Sequence, residues 1–314
     1  MSWMPEQRAA ILRSQSPEQM HLGNVRWGFD GNLTHFSDAA IDPASLKNVY
    51  VVIEPFKPEW LAAHSFLYFE FSRPVLSSDG RSDHGLCVSV EAFLKPGQEF
   101  GLISGLMKTF GIVYQVSSWS DVVRKTCRLL RHKLIRYQLY LSEAQKQSLL
   151  KFSLDEALRP RDGEYYNTLN NSCFTNVVRQ VNSVLPRRQR MAEWAVPRFF
   201  HSPFTALPNC AELLLDRHHL LTMSPPVLTQ PEPPAPQASH SSLGLVLAGL
   251  STQPFWEQGM AAVGLLTGVL SVDAANEAAV ILGGLAGLEV GRTLSDLVVS
   301  RTHTIFEPCD QYLD

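Results

Sequence analysis

Tyr165-Tyr-Asn-Thr-Leu-Asn-Asn-Ser-Cys173-Phe-Thr-Asn-Val-Val178 decides how this chain is read. Polar residues run up to a cysteine, and apolar residues then fall at Phe174, Val177, Val178, Val181, Val184 and Leu185. That is the spacing of one helix face, and Pro186 ends it. The pattern predicts Cys173 at a helix N-terminus, where unpaired backbone N–H groups favour a thiolate and can hold an oxyanion. A second stretch, His64-Ser-Phe-Leu-Tyr-Phe-Glu-Phe71, reads as a buried strand opened by a histidine. An imidazole on a rigid strand suits the role of base to the thiol.

Working outward, residues 49–53 read as a strand that Pro55 and Pro58 end. Residues 77–85 are a polar turn region, and 86–93 form the returning strand. An antiparallel return brings Glu91 toward His64, where its carboxylate is expected to orient the ring. Further strand signals lie at 112–116 and 134–141. Ser142-Glu-Ala-Gln145 reads as a capping box opening a helix to about Leu158. Asn171 or Asn170 is expected either to cap the Cys173 helix or to donate to the oxyanion. The expected fold is α+β, an antiparallel sheet packed on the Cys173 helix over residues 45–222.

Residues 1–44 read as a lead-in segment, 223–242 as a Pro-rich linker, and 243–314 as a Gly/Ala-rich helical region. Charge interrupts that last region at Glu257, Asp273 and Glu289. Its apolar runs therefore fall short of the roughly 20 residues a membrane span needs. Residues 243–299 read as a packed helical hairpin or as a membrane contact.

Composition narrows the function. Net charge is −3, and the densest basic stretch, 124–133, is interleaved with apolar residues as a solvated face would be. Nucleic acid is not an expected partner. The cysteines at 87, 127, 173, 210 and 309 have no CxxC spacing, which argues against a disulfide framework and a zinc ribbon. Cys87 fits a small buried hydrophobe, whereas Cys173 follows three polar residues. His218-His219 with Cys210 lacks a fourth zinc ligand, and no Gly-x-Ser-x-Gly elbow exists. Neither a metal nor a cofactor is expected. The N-terminus carries no signal-peptide pattern, so a cytoplasmic chain or one exported by another route is expected from it.

Ala63-His-Ser-Phe-Leu-Tyr-Phe-Glu-Phe71, Val88-Ser-Val-Glu-Ala92, Tyr166-Asn-Thr-Leu-Asn-Asn-Ser-Cys173-Phe-Thr175 and Pro203-Phe-Thr-Ala-Leu-Pro-Asn-Cys-Ala-Glu-Leu-Leu-Leu215 occur in that order. Together they resemble the Lnb N-terminal periplasmic domain family over roughly residues 45–222. The resemblance implies a permuted papain-like fold in which His precedes Cys. It implies His64 and Cys173 as the catalytic pair and Glu91 as the acidic residue of the second strand. Tyr166 joins Asn171 and Asn170 in the oxyanion or supporting set. The activity it implies is acyl transfer, or lipid hydrolysis, through a Cys173 thioester. The substrate would be a lipid or lipoprotein at the periplasmic face of a bacterial cell envelope. The chain departs from the family pattern at Ser172-Cys173-Phe174-Thr175, where the family has Asn-Cys-Thr-Thr. Phe93 or Leu94 also stands where an Arg is expected after the acidic residue. Two other readings stand beside this one. The first is a cysteine peptidase or amidase acting on peptides such as those of the cell wall. The second is a non-catalytic domain that binds a membrane or a partner.

Overall fold

A computed structural model describes residues 7–16, 18–30, 33–56, 62–95, 97–98, 104–105, 108–193, 211–230 and 305–308. Among these residues the chain is mixed α+β. The strands are β1 (Ile11–Gln15), β2 (Met20–Asp30), β3 (Leu33–Ile41), β4 (Leu46–Phe56), β5 (Ala62–Ser77), β6 (Ser82–Phe93), β7 (Gly111–Ser118), β8 (Leu134–Gln138), β9 (Val227–Gln230) and β10 (Ile305–Pro308). The α-helices are α1 (Trp119–Val123), α2 (Glu143–Leu158), α3 (Cys173–Ser183) and α4 (Ala211–Arg217), and a π-helical turn, Arg124–Leu129, continues α1.

Strands apolar at every position need cover on both faces, and the central strands receive it. Alternation sends Val51, Ile53, Leu67, Phe69, Val88 and Val90 to one core. There they meet Leu149, Leu150 and Leu154 of α2 and Phe174, Val177, Val178 and Val181 of α3. The intervening Val52, Phe66, Tyr68 and Cys87 face a second core, closed by Trp119, Val122 and Val123 of α1 and by Cys127. Each fully buried aliphatic or aromatic side chain in these cores stabilises the fold by about 1.5–3 kcal/mol.

The strand order is β1-β2-β7-β6-β5-β4-β8-β9-β10, with β3 paired to both β2 and β5. Most pairs are antiparallel; β2–β7 and β9–β10 are parallel. The expected capping box opens α2, with Ser142 and Gln145 exchanging side-chain and backbone bonds. Residues 111–118 and 134–138 are strands, as their patterns predict.

Three sequence expectations differ. Much of the 1–44 lead-in belongs to the sheet, as β1, β2 and β3. Pro55 does not end β4, which continues to Phe56 opposite Ala62. The start of the Pro-rich stretch forms β9, paired to β8 and β10. The rest of that stretch and the helices expected over 243–299 lie outside the described residues, as do Cys210 and Cys309. The chain divides into two units, Met1–Glu232 with His303–Asp314, and Pro233–Thr302. Among the described residues, no helix is long and apolar enough to cross a membrane.

Candidate active site

The site forms where two strands stop pairing. β5 and β6 are in register from Phe66 opposite Ser89 onward. Toward the start of β5 that ladder ends, while β5 keeps its pairing to β4 and β6 keeps its pairing to β7. His64 and Ser65 lie just beyond the last β5–β6 pair, and Cys173, the first residue of α3, meets them there.

The α3 N-terminus is built locally. Ser172 is the N-cap: its hydroxyl accepts from the Thr175 N–H at 3.3 Å, and Thr175 Oγ1 accepts from the Ser172 N–H at 2.8 Å. This reciprocal pair leaves the N–H of Cys173 outside the cap. That N–H instead donates to the Tyr166 hydroxyl at 3.4 Å. The preceding loop is pinned so that Tyr166 reaches this point. The Tyr166 N–H donates to the Phe110 carbonyl at 3.0 Å. Arg161 bonds Glu156 and Glu164 while lying over the Tyr114 ring at 4.1 Å. The Tyr114 hydroxyl then reaches Asn176 of α3 at 2.8 Å.

Cys173 is 5% exposed, and its sulfur interacts with the His64 ring and with the hydroxyl and backbone N–H of Ser65. Ser65 is fully buried, and its hydroxyl has no nitrogen or oxygen partner among the described residues. Burial opposes the thiolate, but hydrogen bonding and charge from His64, with the two Ser65 donors, lower Cys173 to about 7. Burial likewise opposes the imidazolium. The Cys173 bond and charge, with Glu91 and Glu54, outweigh it and raise His64 to about 9. The two shifts run in the directions that favour a thiolate–imidazolium pair.

The far side of the imidazole is held by a residue that sequence reading missed. His64 Nε2 lies 2.7 Å from Ser89 Oγ, and the Ser89 hydroxyl donates to Glu91 Oε1 at 3.3 Å. With Nε2 given to Ser89, Nδ1 is the ring nitrogen left for the sulfur. Glu91 is thus one link further from the ring than the direct contact expected for it. A signal was present: Ser89 and Glu91 are two apart in a strand, hence on one face, between apolar Val88 and Val90. Glu91 is itself held by Gln7 Nε2, which donates to it at 3.1 Å. Burial would raise the Glu91 carboxyl, yet Lys125, Arg26, His64 and Gln7 hold it at about 2. The cations facing it therefore come from the π turn and β2 rather than from the positions directly after it.

Asn170 and Asn171 bond around the loop that leads into α3. Asn171 Nδ2 donates to the Tyr165 carbonyl at 2.9 Å, and its Oδ1 accepts from Asn176. The Asn170 N–H donates to the Asn167 side chain, and its carbonyl accepts from Arg179. Both asparagines shape the loop, and neither caps α3. Tyr166, buried against Cys173, is the supporting residue that reaches the sulfur: burial and the Cys173 charge push its hydroxyl well above the ordinary range, so it stays a donor. Cys87 and Cys127 are buried free thiols of the second core, and burial raises Cys87 further.

The chain belongs to the Lnb N-terminal periplasmic domain family, which it matches over residues 32–202. As a family of periplasmic domains, it sets the chain at the bacterial cell envelope. No curated protein and no solved structure matches the chain significantly.

Proposed function

For this member of a periplasmic domain family, we propose cysteine-dependent acyl transfer, with Cys173 as nucleophile and His64 as acid and base. The observation that carries the reading is the Cys173 sulfur at the start of α3, against an imidazole whose other nitrogen is held by Ser89. The thiolate attacks the carbonyl carbon of an ester or amide, and its electron pair forms the C–S bond. Negative charge moves to the carbonyl oxygen, where the Cys173 N–H and the Tyr166 hydroxyl are the candidate donors. Collapse of the intermediate expels the alcohol or amine, which takes the His64 proton. An incoming amine or water then gives its proton to His64 and attacks the thioester, which frees the sulfur.

The domain is, on this reading, a permuted papain-like fold, with the His strand before the Cys helix. Its substrate is a lipid or lipoprotein acyl group. Residues 231–242 act as a tether, and residues 243–299 contact the membrane. No metal or cofactor is needed for these steps.

Incubating the full chain with bacterial lipid extract and weighing the Cys173 peptide tests this. An acyl adduct, labile to hydroxylamine and lost in Cys173→Ala, is expected. Adducts formed only with peptide substrates would point to the peptidase reading. No adduct with either would leave a binding domain.

A further inference from the structure

His64 has a second carboxylate neighbour on the strand opposite Ser89. Glu54 of β4 is the direct cross-strand partner of His64, so the two side chains leave the same face of the sheet. Glu54 is 8% exposed. Among the described residues its hydrogen-bonding partner is His132, whose Nδ1 lies 2.8 Å from Glu54 Oε1. His132 is fixed in turn. Its ring stacks on Phe56, two residues along the same face of β4, at 6.2 Å, and its N–H donates to the Thr126 carbonyl at 2.9 Å. The preceding residue, Arg131, takes a left-handed backbone (φ 57°), which is uncommon for a side chain of that size. Three independent contacts and a strained turn thus hold one imidazole against one buried carboxylate, next to the candidate base.

Resting on the thiol reading above, we propose that Glu54, held by His132, is a positioning residue that keeps His64 in its charged form beside the Cys173 thiolate. Among the described residues, the ionisable groups that act most on His64 are Cys173 from α3, Glu91 from β6 and Glu54 from β4, with Tyr166 beside the sulfur. Of the two carboxylates, Glu91 is shared with Lys125 and Arg26. Glu54 bonds an imidazole, that of His132. Ser89 and Glu91 orient His64, and Glu54 supplies countercharge from the other side.

The test is an NMR titration of isotope-labelled histidines in the full chain. In Glu54→Gln, which keeps size and a hydrogen bond to His132, the His64 midpoint should fall by about one pH unit, as loss of a nearby opposite charge requires. Glu54→Asp, which keeps the charge, should restore most of it. A midpoint unmoved in Glu54→Gln overturns the proposal. Should that variant not fold, His132→Phe decides: it keeps a ring against Phe56 and removes the group that holds Glu54, so the His64 midpoint must move, and an unmoved midpoint overturns the proposal. Cys173→Ala separates this failure from that of the underlying reading. If His64 responds to loss of Cys173 but not to loss of the Glu54 charge, only Glu54 is misassigned. If it responds to neither, the thiol reading fails with it.

Discussion

Ser89 lies 2.7 Å from His64 Nε2 and passes that contact on to Glu91, so the imidazole is oriented by a hydroxyl rather than directly by a carboxylate. Ser89→Ala removes the link and leaves Glu91 held by Gln7. Turnover should fall by about tenfold to a hundredfold, since ring orientation is lost while both reacting groups remain. Ser89→Thr should keep most of the activity. Steady-state rates of the two variants decide this, and equal losses would mean that the hydroxyl is not the link.

Cys173 and His64 act as one unit if they form the ion pair. Cys173→Ala should abolish turnover with little change in stability. His64→Ala should lower turnover by at least about a thousandfold. The double variant should be hardly worse than either single one. Multiplicative losses in single-turnover assays would assign the two residues separate roles.

Ser65→Ala removes a buried hydroxyl that bonds the Cys173 sulfur and, among the described residues, has no nitrogen or oxygen partner. The thiolate loses a donor, so the rate of iodoacetamide modification of Cys173 near pH 7 should drop severalfold, with fold stability within about 1 kcal/mol of the parent. A drop of that size without a change in melting temperature separates a thiolate donor from a packing residue.

Glu91 is held at about 2, against an ordinary value of 4.5. A depressed carboxylate contributes stability above about pH 4.5 that is lost as pH falls toward 2. The loss is on the order of 2 kcal/mol once solvent screening is allowed for. Glu91→Gln should flatten the melting temperature across that window. An equally steep acid limb in both proteins would place the acid-sensitive group elsewhere.

Gly85 leaves no room for a side chain. A Cβ there would overlap the Tyr68 ring and approach Trp119 Cβ to 3.0 Å. The two rings are stacked at 4.4 Å, so neither gives way without opening the second core. Gly85→Ala should cost about 2–3 kcal/mol in denaturant melts.

The strands that carry the site were legible because their middles are mostly apolar on both faces. α2 and α3 were legible from a capping box and a helical stripe. β1–β3 were not, and β2 shows why. Its register shifts between Leu22 and Val25 and again between Arg26 and Gly28, and Asn24 takes a left-handed backbone (φ 59°). Each irregularity moves the buried residue by one position, which erases the period of two. α1 is five residues long and runs into a basic π turn, too short for a periodic signal. In the site, His64 and Cys173 could be named from residue type and position, and Tyr166 from the family resemblance. Ser65 and Glu54 could not, because their roles depend on where the β5–β6 ladder ends and on the β4–β5 register, and long-range pairing fixes both.

The pairing of β10 with β9 has a consequence for dissecting the molecule. Val227 stands opposite Ile305 in a parallel ladder, so the chain leaves the sheet at Gln230 and rejoins it three residues back along the neighbouring strand. Exit and re-entry are separated by only about 10 Å along the strand direction. A truncation at residue 240 would strip β9 of β10, one of its two neighbours, and any change in lipid binding would mix two causes. Replacing Pro233–Thr302 with a flexible bridge of about eight residues would keep both strands, since such a bridge reaches well beyond that gap. The intervening unit becomes a removable cassette, and whether it binds lipid vesicles can be measured with the sheet that carries Cys173 and His64 left whole.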